Sequence, residues 1–149
     1  MEIHRTKDRE EILSVIKHPK VFSWVSDDLA SEDYEPFIHD AIYYLTDPDV
    51  TAIATAIPMN SICCQAHLAA LPSMWGRSVD FVESTINWFF ENTRYQKIVG
   101  MVPAYNRLSM RLCRKVGMKQ EGILTRAFLK NWELHSLVLF GINRHKEEG

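Results

Sequence analysis

The chain has 149 residues, which fits one domain spanning 1–149 around one hydrophobic core. With 46% hydrophobic and 24% charged residues it is neither a disordered nor a fibrous sequence. A formal net charge of −2 gives no overall basic field with which to hold nucleic acid non-specifically.

The opening, Met1 to Glu11, lacks the apolar core of a secretory signal. The most apolar long stretch, Thr51 to Pro72, is interrupted by Pro58, Asn60, Ser61, Gln65 and His67, which does not suit a membrane span of about 20 apolar residues. The cysteines are Cys63, Cys64 and Cys113. The adjacent pair would point to opposite faces of a strand and so make poor disulfide partners. No Cys-x-x-Cys or His/Cys spacing suggests a metal. A reduced, cytoplasmic setting is expected.

In chain order, Ile3 and its neighbours form a short first strand. Thr6 reads as an N-cap, followed by a helix whose stripe is Ile12, Leu13, Val15 and Ile16. Val21 to Val25 forms a second short helix. Ser26 to Pro36 is acidic and turn-like, with Asp27, Asp28, Glu32, Asp33 and Glu35; it reads either as a solvated loop or as the lining of a pocket for a cationic substrate. Strands follow at 42–46, Thr51–Ile57 and Ile62–Leu71, separated by Asp47-Pro48-Asp49 and Pro58-Met59-Asn60, so a three-stranded antiparallel meander is expected. A helix then places Val79, Val82, Ile86, Phe89 and Phe90 on one face. Lys97–Val102 is a short buried strand ending at Pro103. Asn106–Val116 is an amphipathic helix with Leu108, Leu112 and Val116 inward and Gly117 at its C-terminal end. Strands Ile123–Leu129 and Leu134–Ile142 complete the chain.

The loop before the third helix can carry chemistry. A helix N-terminus exposes unpaired N–H groups and a partial positive charge, and so favours an anion. Gly76 permits a tight turn and close approach of a ligand, and Arg77 can add a charge-assisted contact to phosphate. By themselves these residues also fit a plain turn.

The second half is more specific. Val102-Pro103-Ala104-Tyr105-Asn106-Arg107-Leu108-Ser109 leads into Arg111 to Met118, then Glu121-Gly122. This resembles the GNAT acetyltransferase superfamily in its Asn-x-x-Ser step, its Lys-x-Gly helix end and its Glu-Gly before the next strand. It is most similar to the branch that includes ribosomal-protein N-terminal and polyamine acetyltransferases. That branch's phosphate loop, Pro-x-Tyr-Trp-Gly-Lys-Gly-Tyr-Ala, corresponds to Pro72-Ser73-Met74-Trp75-Gly76-Arg77-Ser78-Val79-Asp80. The likeness covers about Ile62 to Ile142.

The resemblance implies an α/β (α+β) GNAT fold, with a mixed, mostly antiparallel sheet of about seven strands and about four flanking helices. It implies acetyl-CoA held in a cleft between the strands Ile62–Leu71 and Lys97–Val102. Backbone groups of Leu68, Ala69, Ala70 and Leu71 would pair with the pantetheine arm. Trp75, Gly76, Arg77, Ser78, Val79 and Asp80 would surround the diphosphate, and Asn106 would reach the pantetheine or thioester. Ser109 and Cys113, on the same helical face as Asn106, would flank the acyl sulfur.

The departures matter as well. Ser78 stands where the family has a second loop glycine. Asp80 replaces a small neutral residue, where it would either repel a diphosphate or simply favour the helix dipole. Cys113 stands where many members carry a tyrosine that protonates the leaving thiolate; it could substitute for that tyrosine or be a small core residue. Ser109 and Tyr105 are further acid candidates. His67 is the candidate base, beside the alternative of a structural strand histidine. Glu133 and His135 could line the acceptor side, and Glu83 reads as a solvated or structural helix residue.

Arg107, Arg111, Arg114 and Lys115 form a basic stripe, either a solvated face or a contact for the nucleotide phosphate. Trp24, Trp75, Trp88 and Trp132 read as core or interface anchors.

These features lead to an acetyl-CoA-dependent N-acetyltransferase acting on an amine-bearing small molecule or a protein N-terminus, with terminal strands that could support a homodimer. The alternative is a catalytically degenerate GNAT-fold binding or structural component, of the kind known among phage-encoded proteins.

Overall fold

The computed structural model describes residues 1–31 and 33–145. Strand β1 (His4–Arg5) leads into helices α1 (Arg9–Ile16) and α2 (Pro19–Val25), then strands β2 (Tyr43–Thr46), β3 (Ala52–Pro58) and β4 (Cys63–Ala70). A 3₁₀ helix (Pro72–Arg77) runs straight into α3 (Ser78–Asn92). Strand β5 (Lys97–Pro103), helix α4 (Arg107–Lys115) and the hairpin β6 (Lys119–Lys130) and β7 (Glu133–Asn143) follow. The expected mixed sheet is present, seven strands in the order β1-β2-β3-β4-β5-β7-β6. Every neighbouring pair is antiparallel except β4 and β5. A parallel pair needs a crossover, which α3 supplies. Among the described residues, no helix is long and apolar enough to cross a membrane.

Helix α1 is capped by Asp8, not Thr6: the Asp8 carboxylate accepts from the N–H groups of Glu10 (2.9 Å) and Glu11 (3.3 Å). Thr6 lies two residues upstream, where its hydroxyl accepts from Asp8 N (3.1 Å) and braces the cap. Ile12, Val15 and Ile16 are buried against Tyr44, Ile53 and Ala69, so α1 and α2 cover one face of β2–β4.

Helix α3 covers the other face, in a different phase from the one expected. Its buried residues are Phe81, Thr85 and Phe89, four apart, while Val79, Val82, Ile86 and Phe90 flank them half-buried. Phe81 sets the phase by packing with Met74 and Ala52 in a fully buried cluster. Arg144 closes the far end of α3, donating to the carbonyls of Thr93 (2.7 Å) and Tyr95 (2.5 Å).

Helix α4 packs beside α3 through Met110, Leu112 and Cys113, against a cluster of Val102, Val116, Met118, Val138 and Phe140. Leu108, expected inward, is 70% exposed. It shares a face with Leu112 and Val116 but lies a turn beyond them, where that cluster ends. The helix closes in a Schellman motif: Gly117 (φ +93°) donates to Arg114 O, and Met118 N donates to Cys113 O. Strand β6 begins at Lys119, four residues before the expected start. A bulge between Gln120 and Gly122 takes up Glu121, whose carboxylate lies 2.7 Å from Lys97 Nζ. That charged start is what hid the strand from its apolar pattern.

Candidate functional site

The site begins where two strands part. β4 and β5 pair in parallel from Cys63↔Lys97 to Ala66↔Gly100, and pairing stops there although both strands continue. Alternation fixes which backbone groups face the resulting opening. Ile62 O accepts from Gln96 N and Lys97 N on the β5 side, whereas Leu71 N donates to Thr51 O on the β3 side. Even-numbered residues of β4 therefore turn their N–H and C=O toward β5. Of the four residues expected to pair with a pantetheine arm, Leu68 and Ala70 face the opening, while Ala69 and Leu71 face β3. The Trp75 indole donates to Ala70 O (3.0 Å) and occupies one of those groups.

The loop after β4 is a 3₁₀ helix and not an open turn. Gly76 has no positive φ, and a Cβ built on it would meet nothing within 4 Å. No turn here requires glycine, but the space above Gly76 is open to a ligand. The Ser78 hydroxyl folds back, 3.1 Å from Trp75 O. Helix α3 has no side-chain cap, so the first-turn N–H groups of Ser78, Val79 and Asp80 receive no side-chain acceptor at its N-terminus, beside the exposed Arg77. Asp80 bends along the helix: Oδ1 accepts from Ser84 Oγ (3.4 Å) and lies 3.7 Å from the Met1 amine.

On α4, Asn106 is the N-cap, its Oδ1 accepting from Ser109 N (3.1 Å). Ser109 is half-buried. Cys113, one turn further on, packs in the Val102–Phe140 cluster, and burial pushes its thiol up to about 11. The stripe Arg107, Arg111, Arg114 and Lys115 is exposed. Tyr105 turns the other way. Its ring meets His135 edge-on at 4.7 Å and lies 6.4 Å from Phe128. His135 alternates with Val138 and Phe140 along β7, so it and Tyr105 lie on the sheet face opposite α4. Burial, then the nearby Asp28, raises the Tyr105 phenol above 10.0.

His67 also lies on that opposite face. It alternates along β4 with Leu68, which packs toward α3, and shares its side with Ala69, which packs under α1. It lines a cavity of about 480 Å³ between the sheet and the α2–β2 segment. The ring is reachable by solvent, yet surrounding protein strips enough water to lower its pKa below 6.5. The Tyr44 hydroxyl, donated to Phe37 O (3.1 Å), lies in the same wall, and burial beside Tyr34 pushes it up to about 12. Tyr34, Tyr44, Phe22 and Phe37 line the cavity and no spacing rule pointed to them. The only signal for Tyr44 was its place in the first strand of the meander.

Two carboxylates of the acidic segment, Asp28 and Glu35, have partners. Asp28 accepts from Asn131 N (3.2 Å) and Trp132 N (2.8 Å) at the tip of the β6–β7 hairpin. Glu35 takes both oxygens to the Arg9 guanidinium, with Nε at 2.6 Å. That bond holds its carboxyl below the usual range. Glu32 lies outside the described residues. Glu133 is exposed at the hairpin. Of the tryptophans, only Trp88 packs into the core, since Trp24, Trp75 and Trp132 are more than half exposed. A second, polar hollow of about 320 Å³ beside Tyr43, Asn92 and Arg94 lies at the other end of β4 from the opening.

No family model and no curated protein matches this sequence. Solved structures do match the fold. A Vibrio cholerae spermidine N-acetyltransferase in complex with CoA and spermine is 17% identical, with a TM-score of 0.78 over 96% of this chain and 95% of that one. The protein smu.2055 of Streptococcus mutans is 15% identical, with a TM-score of 0.74 over 97% of this chain and 100% of that one. A GNAT-family acetyltransferase of Bacillus anthracis is 12% identical, with a TM-score of 0.61 over 71% and 68%. Strand order, the single parallel pair and the opening beyond Ala66 and Gly100 accompany that similarity, and the chain has the GNAT fold.

Proposed function

We propose that residues 1–149 form a GNAT-superfamily N-acetyltransferase domain that uses acetyl-CoA to acetylate an amine. The observation that carries this reading is the parting of β4 from β5 after Ala66 and Gly100, which leaves Leu68 without a strand partner on that side, facing an α3 N-terminus that has no side-chain cap. These residues fit the cofactor. An extended amide arm can add to the β4 edge as another strand would, and phosphates can meet the first-turn N–H groups of α3 with Arg77 beside them. The open space at Gly76 fits the same use. The 17%-identical neighbour described as a complex with CoA and spermine supports CoA chemistry and an amine as the acceptor class.

Acetyl-CoA supplies an activated thioester: the amine nitrogen bonds to its carbonyl carbon, the carbon–sulfur bond breaks, and amide and thiol result. Leu68 N–H is the β4 donor suited to polarise the carbonyl oxygen. His67, held neutral at pH 7, takes the amine proton. A hydroxyl at Ser109 or the thiol of Cys113, on the α4 side, returns a proton to sulfur. Tyr105 stands on the His67 side.

A second reading has its own support. The indole on Ala70 O, the Ser78 hydroxyl turned back into its helix and Cys113 packed in the core suit a degenerate GNAT fold kept for binding, as in some phage-encoded proteins. Calorimetric titration with acetyl-CoA, followed by thiol release with amines, separates the two. One site of micromolar affinity with turnover supports the enzyme. Absence of acetyl-CoA binding would refute it, and binding without turnover favours the second reading.

A further inference from the structure

The cavity at His67 says more about the acceptor than the acidic loop does. Apolar side chains, among them Phe22, Phe37, Ile42 and Ile57, make up most of its wall, and serine, threonine and tyrosine residues complete it. At about 480 Å³ it falls within the range of small-ligand sites. Among the described residues, Glu35 is the one carboxylate in its lining, and Arg9 grips both of its oxygens. Two carboxylates nearby are engaged too: Asp28 on the β6–β7 tip and Asp40 on Lys7 Nζ at 2.7 Å. A polyamine carries several cationic nitrogens, and each needs an acceptor or water to replace what it loses on entry. A mostly apolar wall offers few such acceptors for several charges at once. A single amine on a ring does better: the ring takes the apolar wall, and the nitrogen takes His67, which lines the cavity from the strand beside the opening.

We infer that the acceptor is a primary amine carried on an apolar, ring-sized body, seated against Phe22 and Phe37 with its nitrogen toward His67. This rests on the acetyl-transfer reading above and narrows its substrate class. It also separates this chain from the neighbour described with spermine.

The test uses the full chain, with and without acetyl-CoA, and ligand-observed NMR titrations of phenethylamine and spermidine. Phenethylamine is expected to bind at least about tenfold more tightly than spermidine. Phe37→Ala should weaken phenethylamine by about three- to tenfold, the worth of one aromatic contact. Arg9→Ala, which frees the Glu35 carboxylate outside the reacting groups, should tighten spermidine severalfold and leave phenethylamine unchanged. Spermidine binding more tightly to the native chain, or no phenethylamine binding, overturns the inference. Loss of acetyl-CoA binding with phenethylamine still bound overturns the acetyl-transfer reading alone.

Discussion

Replacing Asp80 by alanine tests the cofactor side of the site. A carboxylate aimed at a diphosphate from 5–6 Å would cost about 3 kcal/mol at an effective dielectric near 20, so its removal would tighten acetyl-CoA about a hundredfold. The geometry argues otherwise. Asp80 is the third residue of α3 and accepts from Ser84, one turn further along, which turns its charge along the helix and away from the N-terminus. Taking about 10 Å, one Debye length, as the separation from a phosphate seated at that N-terminus, and with the side chain 61% exposed, water and salt set the strength. Two phosphate charges at that distance, in a dielectric near 80 and screened over a Debye length, amount to about 0.2–0.4 kcal/mol. The Met1 amine at 3.7 Å reduces this further. Asp80→Ala should therefore change the acetyl-CoA Kd by less than about twofold in calorimetry at physiological salt. Tightening of thirtyfold or more would show that the carboxylate points into the loop and that this geometry is wrong.

Three other outcomes are expected. His67→Gln should lower kcat/KM by about a hundredfold at pH 7, the ordinary worth of a positioned base. With the His67 pKa below 6.5, native activity should rise with pH through that lowered value and then level off; a rise that survives in the variant would remove His67 from the role. Cys64 and Cys113, their thiols pushed up to about 12 and 11, should resist a thiol reagent at about pH 8 until the protein unfolds, and Cys113→Ser should keep transfer within about threefold. A tenfold loss at an unchanged urea midpoint would make Cys113 a participant. Trp132, at φ +58° in a two-residue hairpin turn with Asn131 at +53°, occupies a position that favours glycine. Trp132→Gly should stabilise the fold by about 1 kcal/mol in urea melts, and a lower midpoint would show that the exposed indole is held by contacts of its own.

The second half of the chain was legible because its chemistry is local. Asn106 caps α4, Gly117 closes it at positive φ, and Glu121-Gly122 forms the bulge that starts β6. Each of these short spacings does one backbone job, and a backbone job leaves a trace in sequence. The phase of α3 did not, because Phe81 and Val82 are both apolar and only the buried partners Met74 and Ala52 decide between them. Leu108 misled for the converse reason: its spacing from Leu112 is right, but the sheet it should meet has ended. Of the acidic run between Asp27 and Glu35, the sequence showed the charges but not the partners that two of them have. Arg9 lies 26 residues from Glu35, and Asn131 lies 103 from Asp28.

The two faces of the sheet also constrain how the proposed roles divide. His67 and Tyr105 lie on the α1–α2 side, and Cys113 packs on the α3–α4 side. A wall of paired strands separates the sides except where β4 and β5 part, so a reacting amine and a departing sulfur would meet through that opening. On the proposed reading, a group on the α1–α2 side can reach the amine and its proton, while a group on α4 can reach the sulfur. Tyr105, turned to His135 and away from the α4 packing, is then poorly placed to replace the family's thiol-protonating tyrosine despite its suitable chemistry. Ser109, half-buried between Asn106 and Cys113 on α4, is on the side that the sulfur requires. If transfer occurs, a loss confined to Tyr105 variants should appear in the amine KM, and one confined to Ser109 variants in kcat.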